Sequence, residues 1–120
     1  MTDSSARQIL VVDDRRLFAF DAHYARTAAA GVAALSAGQE YDEIWLDHDL
    51  GEPPREIWPV VELLEQLAHE NRFPVRGAIL VCSDNPAGAE RIRLALERSG
   101  YQVRRVDAKP YLASSQRSTP

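Results

Sequence analysis

The sequence predicts an α/β fold in three layers: a central, mainly parallel five-stranded sheet in the order 2-1-3-4-5, with helices on its faces. Three observations predict it. Short apolar runs alternate with longer stretches of helical periodicity. Two of those runs, residues 8–12 and 43–47, are apolar on both faces, as central strands of a covered sheet are. Both end abruptly in acids, at Asp13-Asp14 and Asp47-His48-Asp49, which marks the carboxyl edge of a sheet.

The elements follow in order. Residues 1–7 are polar and read as a loose start. Residues 8–12 are the first strand. Residues 17–21 read as a loop with buried aromatic contact from Phe18 and Phe20, and residues 22–26 as a short second strand. Only nine residues lie between Val12 and Ala22, too few for an ordinary helical crossover, so either the first helix is truncated or missing or the second strand is an irregular edge element. Thr27 caps an alanine-rich helix over 28–37, and Gly38 ends it. Residues 43–47 are the third strand. A loop broken by Gly51, Pro53 and Pro54 leads to a helix that starts near Pro59 and runs to about Asn71. Val60, Leu63, Leu64, Leu67 and Ala68 form its apolar stripe. Residues 78–82 are the fourth strand. Asn85 caps a helix with Pro86 in its first turn, which ends at Ser99-Gly100. Residues 101–106 are the last strand, and a Ser/Thr/Gln-rich tail over 113–120 is expected to be disordered.

The 120 residues form one domain, 1–120, with no internal repeat. No apolar run is long enough to cross a bilayer, and the start lacks a signal peptide's basic and apolar regions. The single cysteine, Cys82, rules out an internal disulfide, and a cytoplasmic location is the simplest expectation. A net charge of −4 argues against a broad nucleic-acid surface, although a strand end could still bind locally. Thirteen arginines stand against one lysine, Lys109, which precedes a proline near the end of the last strand. A compact ammonium differs in kind from a planar guanidinium, so this exception is a candidate functional group.

In an open sheet of this order, ligands bind beyond the strands' carboxyl ends, where the winding reverses between the first and third strands. Asp13-Asp14, Asp47-His48-Asp49, Ser83-Asp84-Asn85 and Lys109 all fall at that edge. Clustered carboxylates repel one another and favour a hard divalent cation, Mg²⁺ or Mn²⁺. Such an ion can bridge to phosphate and neutralise its charge. Asp13, Asp14 and Asp47 are therefore the candidate metal ligands. Ser83 and the start of the Asn85-Pro86 helix can bind an anion, Lys109 and Arg15 can add positive charge, and His48 can move a proton near neutral pH. His23 and His69 read as structural or exposed, Trp45 and Trp58 as core, and Cys82 as a buried strand residue.

These residues resemble the receiver domain of two-component response regulators, over most of the chain. Asp13-Asp14 resemble the acidic pair that holds Mg²⁺, Asp47 the phosphate-accepting aspartate, Ser83 the Ser/Thr, and Lys109-Pro110 the Lys-Pro after the last strand. The resemblance implies a flavodoxin-like fold. The run Leu46-Asp47-His48-Asp49-Leu50-Gly51, the start Val12-Asp13-Asp14-Arg15, and Ser83 with Asn85-Pro86 and Gly88 are similar to a narrower relative, the cyclic-phosphate processing receiver-like family. Cys82 stands where that family is expected to carry a histidine.

That resemblance implies a metal-dependent phosphoesterase acting on a cyclic phosphate, such as a 2′,3′-cyclic phosphate nucleotide or RNA end. Asp47, His48 and Asp49 are its candidate catalytic residues. Arg15, Ser83, Asn85 and Lys109 are the candidate phosphate-binding residues. Whether Asp47 attacks phosphorus or holds the metal stays open. The alternatives are a signalling receiver phosphorylated on Asp47, with a protein partner, and an inactive receiver-like binding module.

Overall fold

The computed structural model describes residues 7–50 and 56–114. Five strands, β1 (Ile9–Val12), β2 (His23–Ala25), β3 (Glu43–Leu46), β4 (Ile79–Val81) and β5 (Val103–Arg105), form one sheet in the order β2-β1-β3-β4-β5. Every pairing is parallel. Three helices, α1 (Ala28–Ser36), α2 (Trp58–His69) and α3 (Pro86–Arg98), follow β2, β3 and β4. The strand order and the flavodoxin-like architecture are those expected, and the first helix is indeed missing. Among the described residues no helix is long and apolar enough to cross a membrane.

Local chemistry sets the helix bounds. Thr27 Oγ1 accepts from the Ala30 N–H at 3.0 Å, and Asn85 Oδ1 accepts from the Gly88 N–H at 3.0 Å, so each satisfies a donor that the first turn leaves unpaired. Pro59 and Pro86 sit in first turns, where a missing N–H costs nothing.

All three helices lie on one face of the sheet, not on both as expected, because the helix that would cover the other face, between β1 and β2, is missing. On the helical face Leu10, Val12, Ile44, Leu46, Ile79 and Val81 pack against Leu35, Val60, Leu64, Ile92 and Leu96. The opposite face, carrying Ile9, Val11, Trp45, Leu80 and Cys82, is covered without a helix. Its cover comes from the β1–β2 connection and the segment after β5. Phe18 stacks on Phe20 at 5.1 Å between centroids and tilts against Trp45 at 5.2 Å. Phe18 bridges to Leu112, the Ala19 N–H donates to Tyr111 O at 2.8 Å, and the Ala113 N–H donates to Leu17 O at 2.9 Å. The third layer is therefore an aromatic strap. It explains how β1 and β2 run parallel with so short a connection: the chain crosses the second face as a non-helical segment of bends rather than as a helix.

Lys109 does not end a strand. It begins a 3₁₀ turn, Lys109–Tyr111, after β5. Of the expected loose ends, Arg7 pairs with Glu43 at 2.7 Å, and Ala113 is tied down as above; residues 1–6 and 115–120 lie outside the described residues. The loop glycine and prolines, Gly51, Pro53 and Pro54, also lie outside them.

Candidate functional site

The strand ladder brings the acidic strand ends together. The Asp47 N–H donates to Val12 O at 3.0 Å, and the Cys82 N–H to Leu46 O at 3.0 Å, so β1, β3 and β4 stop level with one another. Asp13, Asp14 and Asp47 each offer an oxygen within 4.8 Å of the others. Asp14, Arg15, Asp47, Asp49 and Asp84 line a cleft of about 210 Å³ at that edge. A second cleft of about 200 Å³, with Asp84 in common, is lined by Arg16, Cys82, Ser83, Asp107, Ala108 and Lys109 among others.

Asp13 is committed to its own turn. Its Oδ1 accepts from the Arg15 and Arg16 N–H groups at 3.0 and 2.9 Å, folding the chain back after β1. Arg26 clamps the same turn through the carbonyls of Asp13 and Arg16 at 3.0 and 2.7 Å. The turn aims Arg16 inward. Arg16 Nη1 donates to Asp13 Oδ2 at 3.0 Å, to Asp47 Oδ2 at 3.1 Å and to Cys82 O at 3.4 Å, with the residue only 7% exposed. Burial pulls the Arg16 pKa down, but the bond to Asp13 and the charges of Asp13 and Asp47 outweigh it and raise it.

Sequence reasoning passed over this guanidinium. The available signal was charge balance, because two acids at buried strand ends need a counter-ion and an adjacent arginine can reach back to them. Arg15, the residue singled out instead, points outward to Asp84 at 3.4 Å with both side chains exposed.

Asp47 is 3% exposed. Burial, then the charge of Asp13, push its pKa up to about 6, and Arg16 offsets this only in part. Asp47 Oδ1 accepts from the Asp49 N–H at 3.3 Å. Asp14 is partly exposed, yet its Oδ1 is buried without a hydrogen-bond partner among the described residues.

His48 is buried and absent from the lining of the acidic cleft. Its ring lies edge-on to Trp58 at 5.8 Å and rests on Gly88, where an added Cβ would fall 2.6 Å from His48 Cδ2. His48 Nδ1 hydrogen-bonds Asp49 Oδ1 at 2.8 Å, while Nε2 is buried without a partner among the described residues. The His48 carbonyl accepts from the Ile57 N–H at 3.2 Å, which ties the site to the start of α2. The imidazole thus reaches the cleft only through Asp49. Ser83 Oγ accepts from the Asn85 N–H at 3.1 Å, and Asn85 caps α3, so both serve the β4–α3 turn. Lys109 lines the second cleft, and among the described residues its ammonium makes no hydrogen bond or ion pair.

A model of the cyclic-phosphate processing receiver domain matches residues 8–98. The chain belongs to that family. The matched span holds β1 to α3, with all the acids of the cleft, and stops before β5 and Lys109. No curated protein matches the chain. One solved structure, described as a trimeric coiled-coil segment of yeast Spc42 fused to another structure, is similar at 21% identity with a TM-score of 0.56. The likeness covers 82% of this chain and 64% of that one, so the chain spans less than two thirds of the matched structure's length. At that identity the likeness speaks for the fold.

The carboxylates suit a divalent cation in part. Asp14 Oδ1, unpartnered among the described residues, has an oxygen to offer; Asp13 and Asp47 are each already bonded through both oxygens, Asp47 more loosely, with one bond at 3.1 Å and one at 3.3 Å.

Proposed function

We propose that this receiver-family domain hydrolyses a cyclic phosphate, with a nucleotide or RNA end bearing a 2′,3′-cyclic phosphate as the substrate class. The observation that carries this reading is Asp47. It is a buried carboxyl at the end of the central strand, beside an open cleft, with a pKa pushed up to about 6. A group that exchanges its proton close to neutral pH suits acid–base work, since it is neither permanently charged nor permanently neutral.

The reaction adds water across one P–O bond: the water oxygen bonds to phosphorus and loses a proton, and the departing ribose oxygen gains one. Asp47 would either take the first proton or ligate a cation, and Asp49, hydrogen-bonded to His48, lines the same cleft. Asp14 and Asp47 would hold Mg²⁺ or Mn²⁺, which would neutralise charge on the phosphate. Ser83 and Lys109, lining the neighbouring cleft, would bind its free oxygens, with Arg15 at the rim.

The test is turnover of cyclic mononucleotides and of RNA ending in 2′,3′-cyclic phosphate, with Mg²⁺ or Mn²⁺. Activity lost in Asp47→Asn is the expected result; no turnover across that panel overturns the reading. A second reading is favoured by the position of Asp47 on a receiver fold: phosphorylation there, with a change of protein partner. Intact-mass measurement after incubation with a small phosphodonor separates the two, because a stable single phosphate, absent from Asp47→Asn, supports signalling.

A further inference from the structure

Arg16 Nη1 lies between Asp13 Oδ2 and Asp47 Oδ2, where a bridging cation would otherwise balance the two acids. We propose that Arg16 is a resident counter-ion that a divalent cation must displace from Asp47, so that cation binding and release of the guanidinium are one exchange. The proposal rests on the reading that this site takes a divalent cation, and it names what controls that step.

Three observations carry it. First, the guanidinium is built in rather than draped over the site: it is buried, it also bonds to Cys82 O, and its backbone is held by Asp13 and Arg26. Second, the site remains short of positive charge with Arg16 in place. Asp14 Oδ1 has no partner among the described residues, and three carboxylates with oxygens within 4.8 Å of one another surround a single buried guanidinium. A cation is therefore still attracted. Third, Asp47 has limited coordination to give. Its Oδ2 accepts from Arg16 and its Oδ1 from the Asp49 N–H, and a metal ion beside Nη1 would meet a like charge at close range. The exchange leaves the guanidinium near Asp84, whose Oδ1 is already 3.6 Å from Arg16 Nη2. Arg16 is then a positioning residue: it keeps the acids together while no metal is bound and yields Asp47 when one arrives.

The probe is Mg²⁺ alone, titrated into the full chain while the Arg16 guanidinium nitrogens are followed by NMR. Without metal, the bonds to Asp13 and Asp47 should slow rotation about the Cζ–N bonds. Mg²⁺ should abolish that slowing at the same concentration at which the Asp14 and Asp47 carboxyl signals move. Arg16→Gln should bind Mg²⁺ at least about tenfold more tightly, since nothing has to be displaced. If that variant folds poorly, Asp13→Asn/Arg16→Gln removes the ion pair as a unit, keeps Asp14 and Asp47, and should show the same gain. Mg²⁺ binding with the Arg16 signals unchanged, no tightening in either variant, or no Mg²⁺ binding by any of the three proteins would overturn the exchange. No turnover is read, so a failure here leaves the substrate reading standing, and a failed substrate panel leaves this result intact.

Discussion

Replacing Asp47 by asparagine should stabilise the fold at neutral pH, and the size of the effect follows from the site. Asp47 has a pKa of about 6 when folded, against an ordinary value of 3.8. At about 1.4 kcal/mol per tenfold change in proton affinity, that gap corresponds to about 3 kcal/mol. The folded chain binds this proton more tightly than the unfolded chain does. Stability therefore falls as pH rises between the two values: the protonated carboxyl's contribution is full below about pH 4 and is lost as pH passes about 6. At pH 7 the fold carries the whole cost of a buried, under-neutralised carboxylate. Asp47→Asn removes that cost, keeps an acceptor for Arg16, and leaves Asp13 to hold the guanidinium. Against this, the Asp49 N–H loses a weak bond, worth about 1 kcal/mol. The net expectation is a gain of about 1 to 2 kcal/mol at pH 7, with little difference at pH 4. Urea unfolding of both proteins at the two pH values, with a chelator present to exclude cations, measures it. A variant less stable than the parent at pH 7, or a difference that does not change with pH, would refute the reasoning.

Other perturbations probe the surroundings of the site. Gly88→Ala places a methyl 2.6 Å from the buried His48 ring, and should cost about 1–3 kcal/mol in chemical denaturation and shift the His48 ring signals in NMR. Phe18→Ala empties the aromatic strap over Trp45 and should cost about 3 kcal/mol, with a changed near-ultraviolet circular dichroism signal from Trp45. Thr27→Ala removes the cap of α1 and should cost about 1 kcal/mol by urea titration. Cys82 is buried, and burial first of all pushes its thiol up to about 12, so iodoacetamide at pH 8 should leave it intact in the native protein and alkylate it in urea.

The sequence by itself determined the sheet and its edge. Residues 8–12 and 43–47 could only be inner strands, because their apolar side chains point both ways and need cover on both faces. Thr27, Asn85, Pro59 and Pro86 marked helix starts through chemistry that acts within one turn, which is why those bounds were legible. The short span after Val12 left either a truncated or missing first helix or an irregular second strand. Strand ends that share an edge then brought Asp13, Asp14 and Asp47 together.

What only the tertiary structure decided depends on contacts between distant segments. Nothing local to Phe18 or Phe20 specifies that they cover Trp45 jointly with a segment some ninety residues further on. The alternation of side chains past β3 turns Asp47 towards the cleft and leaves His48 packed on Gly88, so adjacent polar residues that look alike in sequence meet opposite surroundings. Arg15 and Arg16 differ in the same way. One step along a tight turn sends one guanidinium to the rim and buries the other between two acids, and only the packed turn, with Arg26 closing it, selects which.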